Sequence, residues 1–274
     1  MESSVNPDLE DQHSSFTAQG LAKIGRAFLV TMDYIGGVTL LAKDFFKFAL
    51  RFSFPFSDTI KQMEEVGIKS ASLTNLIGLF TGLVIAVQFI VGLQRFGLQL
   101  YTGQIIGIAI TRELGPVLTA LMIAARVGSG ITAEIGSMNV TEQVDAVRAM
   151  GANPVQKLVV PRVIATIICT PLLTVLADII GIVGGMIITM AETGIGARYY
   201  IDQIRATVEL LDFGSGIAKT FFFGLFIGVI ACYQGLNTHG GTEGVGRSTT
   251  MSVVYCAICI FISDFFLTKL FLLL

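Results

Sequence analysis

The side chains equipped for covalent chemistry are few and scattered. The two histidines, His13 and His239, both fall outside the apolar stretches. An enzyme acting on a membrane lipid would need His, Asp or Ser gathered at one depth, which this order of residues does not provide. Cys256-Ala-Ile-Cys259 has the spacing of a redox or metal pair. It lies in an apolar helical pattern without a βαβ context or further ligands, so membrane packing is its reading, as it is for Cys169 and Cys232. Gly241-x-x-x-x-Gly246-Arg247-Ser248 nearly spells a phosphate-binding loop, yet Arg stands where Lys belongs and no β-strand precedes it. A tight glycine-rich loop is expected there, and no catalytic residue, metal site or cofactor is assigned.

What remains is electrostatic. Arg112-Glu113 is an adjacent charge pair in apolar surroundings, and Asp178 and Asp264 are single acids within apolar runs. A charge at membrane depth costs several kcal/mol unless it is paired or hydrated, so such residues are functional candidates. The competing reading is an ion pair that fixes helix packing. For Asp178 and Asp264 no partner is evident from the sequence, and a structural hydrogen bond is the simpler role.

A second polar constellation lies between two apolar spans. Asn139 is placed to cap a helix, with Glu142 three residues on as in a capping box, and Gly151 and Pro154 supply the stop. At 100° per residue Val140, Val144 and Val147 share one face, opposite Glu142, Asp145, Ala146 and Ala149. A helix over 140–150 would be roughly 16 Å long, far short of a bilayer. It reads equally as a solvated connecting turn or as a contact point for another chain.

These residues must be positioned by membrane helices. The chain is 53% hydrophobic and 14% charged, well below the quarter or so typical of soluble domains. We therefore expect an all-α integral membrane protein. Ser70 to Gln94 carries no charge and exceeds the 20 or so residues needed to cross a hydrocarbon core. Four more spans are expected from about Gln104 to Ile135, Pro154 to Met190, Gly216 to Tyr233, and Thr250 to the end. The second would reach roughly 48 Å as one helix, so it must tilt, protrude or break, with Pro116 and Gly128-Ser129-Gly130 as natural places. Gly78-x-x-x-Gly82 and Gly224-x-x-x-Gly228 permit close helix approach. Residues 191–213 are too polar to cross and are expected to form a substantial extracytoplasmic loop or short helices.

Ahead of the five-span domain at 70–274, residues 1–17 read as a disordered cytoplasmic tail without the features of a signal or transit peptide. Residues 18–69 contain an amphipathic interfacial helix, with Phe45, Phe48 and Phe52 on one face and Lys43, Lys47 and Arg51 on the other. With the N-terminus inside, twelve of the 18 Lys and Arg fall on or near the cytoplasmic side, which favours an N-in, C-out arrangement. The net charge of −2 gives no sign of a nucleic-acid partner.

The run ITAEIGSMNVTEQVDAVRAMGANPVQKLVVPRVIA, with RELGPV upstream and GVGRSTTMSVV from Gly244 to Val254, resembles the signature of the MlaE/YrbE-type permeases. These are membrane subunits of ABC lipid transporters that work with MCE-domain proteins. The similarity runs from about Leu73 to the C-terminus. Residues 1 to about 70 match only in character, and the resemblance implies that the short segment between the second and third spans is a cytoplasmic coupling helix. It also implies a homodimer whose first and fifth spans enclose a phospholipid-sized chamber. A separate ABC ATPase dimer would hydrolyse ATP, so the chain itself is not an enzyme, and an MCE-domain hexamer would sit outside. The resemblance also admits a small STAS-type regulatory subunit.

By that resemblance Glu134, Thr141, Glu142, Gln143, Asp145, Ala146, Met150 and Gly151 would contact the ATPase. Arg112 and Glu113 would meet the lipid, with Ile85, Gln88, Phe89, Leu93 and Phe96 as the apolar wall. The expected location is a bacterial inner membrane with the C-terminus periplasmic. The rival classes are an ion-coupled secondary transporter, disfavoured because no internal repeat is visible, and a lipid-modifying membrane enzyme, disfavoured by the scattered histidines.

Overall fold

The structure, a computed structural model, describes the backbone of residues 7–49 and 56–273 and, within the first helix, side chains from 28 onward. Among the described residues every element is helical, and five are long and apolar enough to cross a membrane: Phe56–Gln94, Gln99–Val140, Val155–Thr193, Leu210–Leu236 and Gly241–Phe271. In chain order the helices are α1 (Pro7–Ala49), α2 (Phe56–Met63), α3 (Lys69–Gln94), α4 (Thr102–Ala109), α5 (Gly115–Ile123), α6 (Ser129–Val140), α7 (Gln143–Ala149), α8 (Val160–Thr193), α9 (Ala197–Thr207), α10 (Leu210–Leu236) and α11 (Gly241–Phe271).

The second span is one continuous rod, and its two expected break points appear as π-turns, at Ile110–Leu114 just before Pro116 and at Ala124–Gly128 just before Ser129. A π-turn absorbs an awkward residue by widening the helix locally while keeping most backbone groups bonded, which the apolar surroundings require. Further π-turns at Glu64–Ile68 and Val155–Val159 join α2 to α3 and open the third span.

The third and fourth spans form the centre, with 56% and 61% of their most apolar windows buried, against 17% for each of the first and fifth. Glycines let the central helices meet. A Cβ on Gly82 would lie 1.9 Å from the Gly181 carbonyl oxygen of α8, and one on Gly224 would lie 2.6 Å from the Thr166 oxygen. Both small-residue pairs read from the sequence are therefore backbone contacts between spans. Around them Ile123, Ile135, Val159, Val163, Phe223 and Ile227 are wholly buried.

Asn139 is not a cap: α6 continues through it to Val140, because the apolar helix is already propagating when it reaches the polar residues. The reversal is made by Glu142 in the left-handed conformation, φ 59°, with no side-chain cap, so the short helix occupies Gln143–Ala149 instead of 140–150. Its stop is as read: Gly151 at φ 76° donates to Arg148 O and Ala152 N–H to Val147 O, a Schellman ending. The expected glycine loop at 241–248 is the first two turns of α11, entered through Gly240 and Gly241 at positive φ. The loop 191–213 contains α9, whose Tyr200 is fully buried against Gly103 and Gly185.

α1 is helical from Pro7, N-terminal to the start expected at residue 18. Leu41 and Phe45 are buried and Phe48 half-buried against the bundle, while Lys43 and Lys47 are exposed. Arg51 and Phe52 lie outside the described residues, as do 1–6 of the expected tail. Tyr34 stacks against Tyr233 and Tyr255, at 5.3 and 4.4 Å between ring centres, which ties α1 to the facing ends of α10 and α11.

Candidate functional site

Two places gather the polar residues of the bundle. The first surrounds Lys219 on α10, a side chain 2% exposed. Its ammonium donates to Glu113 Oε2 at 2.9 Å, to Thr268 Oγ1 at 2.6 Å and to the Arg112 carbonyl oxygen at 3.1 Å. Those three bonds use all three of its protons. Asp264 Oδ1 lies 3.1 Å away as an ion pair without an aligned hydrogen bond. Thr268 in turn donates to Glu113 Oε1 at 3.1 Å.

The local sequence explains why the cluster forms there. Pro116 brings no N–H, so the carbonyls one turn earlier lose a helical partner. Lys219 takes the Arg112 carbonyl, and Gly216 three residues before it lies so close to the Thr111 carbonyl that a Cβ would come within 2.1 Å. Arg112 itself points elsewhere, with Nη1 3.5 Å from Asp212 Oδ1 at the start of α10. One side of the second span is thus tied to the fourth and fifth by charge.

Glu113 is at the centre of the cluster, whereas Arg112 is committed to an acid of its own chain. Asp264 does have a partner, Lys219, contrary to the sequence reading. Lys219, Asp212 and Thr268 were not singled out, although an unpaired Lys and Asp in separate apolar spans is itself a signal that the two meet. Asp178 is buried with no partner for Oδ1 among the described residues, pressed against the bare Cα of Gly115.

The expected apolar wall divides. Ile85 and Phe89 pack inside the chain against Ala86, Ile106, Ile110 and Tyr200. Leu93 is half-buried, but Gln88 is exposed and Phe96 is 76% exposed. Because Gly78 and Gly82 turn that flank of α3 onto α8, the face left open is the neighbouring one, carrying Phe80, Val84, Val87 and Val91.

The second place is α7. Val144 is its single fully buried residue and anchors it to the bundle. Thr141, Glu142, Gln143, Asp145, Ala146 and Gly151 are exposed, and Met150 projects with 73% of its surface free. Asp145 is paired with Arg148 at 2.9 Å, and Gln143 donates to Thr141 Oγ1 at 3.1 Å. Glu134 stands apart from this group. Its Oε1 lies 2.7 Å from Nη2 of the buried Arg162, whose Nη1 donates to Leu158 O at 2.8 Å. The pair joins α6 to α8 behind the short helix.

Comparison with known proteins supplies the family. The family model described as Permease MlaE matches residues 59–270. A probable ABC transporter permease protein of Rickettsia bellii is 40% identical over 216 residues, 79% of this chain and 83% of that protein. The chloroplastic protein TRIGALACTOSYLDIACYLGLYCEROL 1 of Arabidopsis thaliana is 37% identical over 214 residues, 78% of this chain and 61% of that protein. The intermembrane phospholipid transport system permease protein MlaE of Haemophilus influenzae is 34% identical over 212 residues, 77% of this chain and 81% of that protein. With a match across all five spans and the segment between the second and third, the chain belongs to the MlaE permease family of ABC transporter permeases.

Proposed function

We propose that this chain is the membrane subunit of an ABC transporter that moves phospholipids between the inner and outer membranes of a bacterium, driven by a separate ATPase that docks on α7. The observation that carries the reading is α7 itself: seven residues held by the buried Val144 and the half-buried Val147, ended by a Schellman turn and exposed at the other five positions. It hangs between two rods of 42 and 39 residues. Glu142, in the left-handed conformation that turns the chain into α7, and Met150, 73% exposed, frame the face that an approaching partner would meet.

The open faces of α3 and α11 support a second copy of the chain as partner across the membrane, the two enclosing a lipid chamber. The N-terminus and α7 then face the cytoplasm, with the C-terminus and an MCE-domain protein on the periplasmic side. ATP closure of the docked ATPase pushes α7 and shifts the second and third spans, and the Glu113–Lys219–Asp264 cluster carries that movement to the fourth and fifth. Only a lipid or nucleotide state that favours one arrangement can drive the change.

The test is reconstitution with the ATPase in vesicles. Reversing Glu142 and Asp145 together (E142K/D145K) should release the ATPase or uncouple hydrolysis from lipid movement. Retention of both, or reactivity of a thiol at Gln143→Cys only from the side opposite the ATPase, would overturn the proposal.

A further inference from the structure

A cavity of about 630 Å³ opens between the start of the first span and the half of the second that leads to α7. Its charged lining comes from Lys61, Glu64 and Glu65 on one side and Arg126 and Glu134 on the other. Two of these acids are already matched, Glu65 by Lys69 and Glu134 by Arg162. Lys61, Arg126 and Glu64 are left without an ionic partner among the described residues, Arg126 donating to the neutral Ser70 Oγ at 2.5 Å. Two cations and one acid therefore face a space of the size that small-molecule sites usually have.

The floor is apolar, formed by Val66, Val127 and Ile131. Beside it, Ile68 at the end of the π-turn and Leu76 and Phe80 on α3, which are 74%, 50% and 57% exposed, form an open, largely apolar stripe with Ser72 between the first two. A soluble anion would use the charges and leave the stripe idle. A lipid uses both.

We propose that this cavity receives the headgroup of a zwitterionic glycerophospholipid at the end of the bundle that carries α7. Arg126 and Lys61 hold the phosphate by charge-assisted hydrogen bonds, Glu64 holds the headgroup ammonium, and an acyl chain follows Ile68, Leu76 and Phe80 toward the open face of α3. The site deepens the transport reading, on which it rests, by giving the carrier an entry or exit station and a headgroup preference.

The experiment is native mass spectrometry of the full chain, delipidated and titrated with dioleoyl phosphatidylethanolamine, dioleoyl phosphatidylglycerol and dioleoylglycerol. The unaltered chain should bind phosphatidylethanolamine most tightly and dioleoylglycerol weakest. Arg126→Gln should weaken both phospholipids by about tenfold, the usual consequence of losing one charge-assisted contact, and Arg126→Lys should recover most of it. Glu64→Gln, on an exposed position that does not threaten folding, should weaken phosphatidylethanolamine by about tenfold, because its ammonium loses a charged acceptor, and should not weaken phosphatidylglycerol, which has no ammonium, so that the preference between the two is erased. Equal binding of all three lipids, or unchanged preference in Glu64→Gln, overturns the site. Because the titration needs no ATPase, that result would leave the transport reading standing, whereas failure of the reconstituted complex to move any lipid would remove the reading itself.

Discussion

Lys219 Nζ lies 2.9 Å from Glu113 Oε2, and the two belong to different membrane spans, the fourth and the second. The lysine is 2% exposed, so neither water nor headgroups can replace its partners. Removing the lysine strands two acids, Glu113 with 38% of its side chain exposed and Asp264 with 19%, at about 1–3 kcal/mol. Lys219→Met should therefore destabilise the chain, leaving Glu113, Asp264 and the Arg112 carbonyl without their donor. The double variant Lys219→Met with Glu113→Gln should recover part of the loss. Thermal unfolding in detergent, followed by a thiol dye reaching the buried Cys232 and Cys256, measures both; a Lys219→Met midpoint equal to that of the unaltered chain would contradict the assignment.

Glu134 and Arg162 form a weaker link. The glutamate side chain is 54% exposed, so solvent screens the pair, and Glu134→Gln should cost only about 1 kcal/mol. Arg162→Ala should cost several times more, because it also removes a buried side chain and its bond to Leu158 O. Glu134→Lys should leave ATPase binding largely intact, in contrast to the same change at Asp145. Pull-down of the ATPase by each variant separates the two roles.

Glu142 is held at φ 59°, a conformation that costs a residue with a side chain about 1–2 kcal/mol. Glu142→Gly should raise the unfolding midpoint slightly while weakening ATPase capture, whereas Met150→Asp should weaken capture without changing stability. Equal capture by all three proteins would mean that α7 is not the docking element.

Two glycines of α3 make a matched comparison. A Cβ at Gly82 meets the Gly181 carbonyl, while at Gly92 nothing lies within 4 Å. Gly82→Ala should destabilise by about 1–3 kcal/mol through overpacking. Gly92→Ala should be neutral or stabilise by up to about 1 kcal/mol from helix propensity. The same thiol-dye melt reads both.

The sequence determined the elements. Length and apolarity of five runs sufficed for five spans, since a backbone in hydrocarbon has to close its own hydrogen bonds. Gly151 and Pro154 sufficed for the end of α7, and spaced glycines for close helix contact, because these depend on a few neighbouring residues. The tertiary structure decided who meets whom. Lys219, Glu113 and Asp264 are brought together from positions 106 and 45 residues apart in the chain by the packing of the second, fourth and fifth spans. Arg112 is turned to Asp212, and of the α3 residues read as a lipid wall Ile85 and Phe89 pack against the neighbouring helices while Gln88 and Phe96 stay exposed. Those outcomes depend on helix rotation, and rotation is set by the backbone contacts at Gly78, Gly82 and Gly216 and by the π-turn ahead of Pro116, which shift every later side chain to a new bearing that a fixed 100° period cannot anticipate.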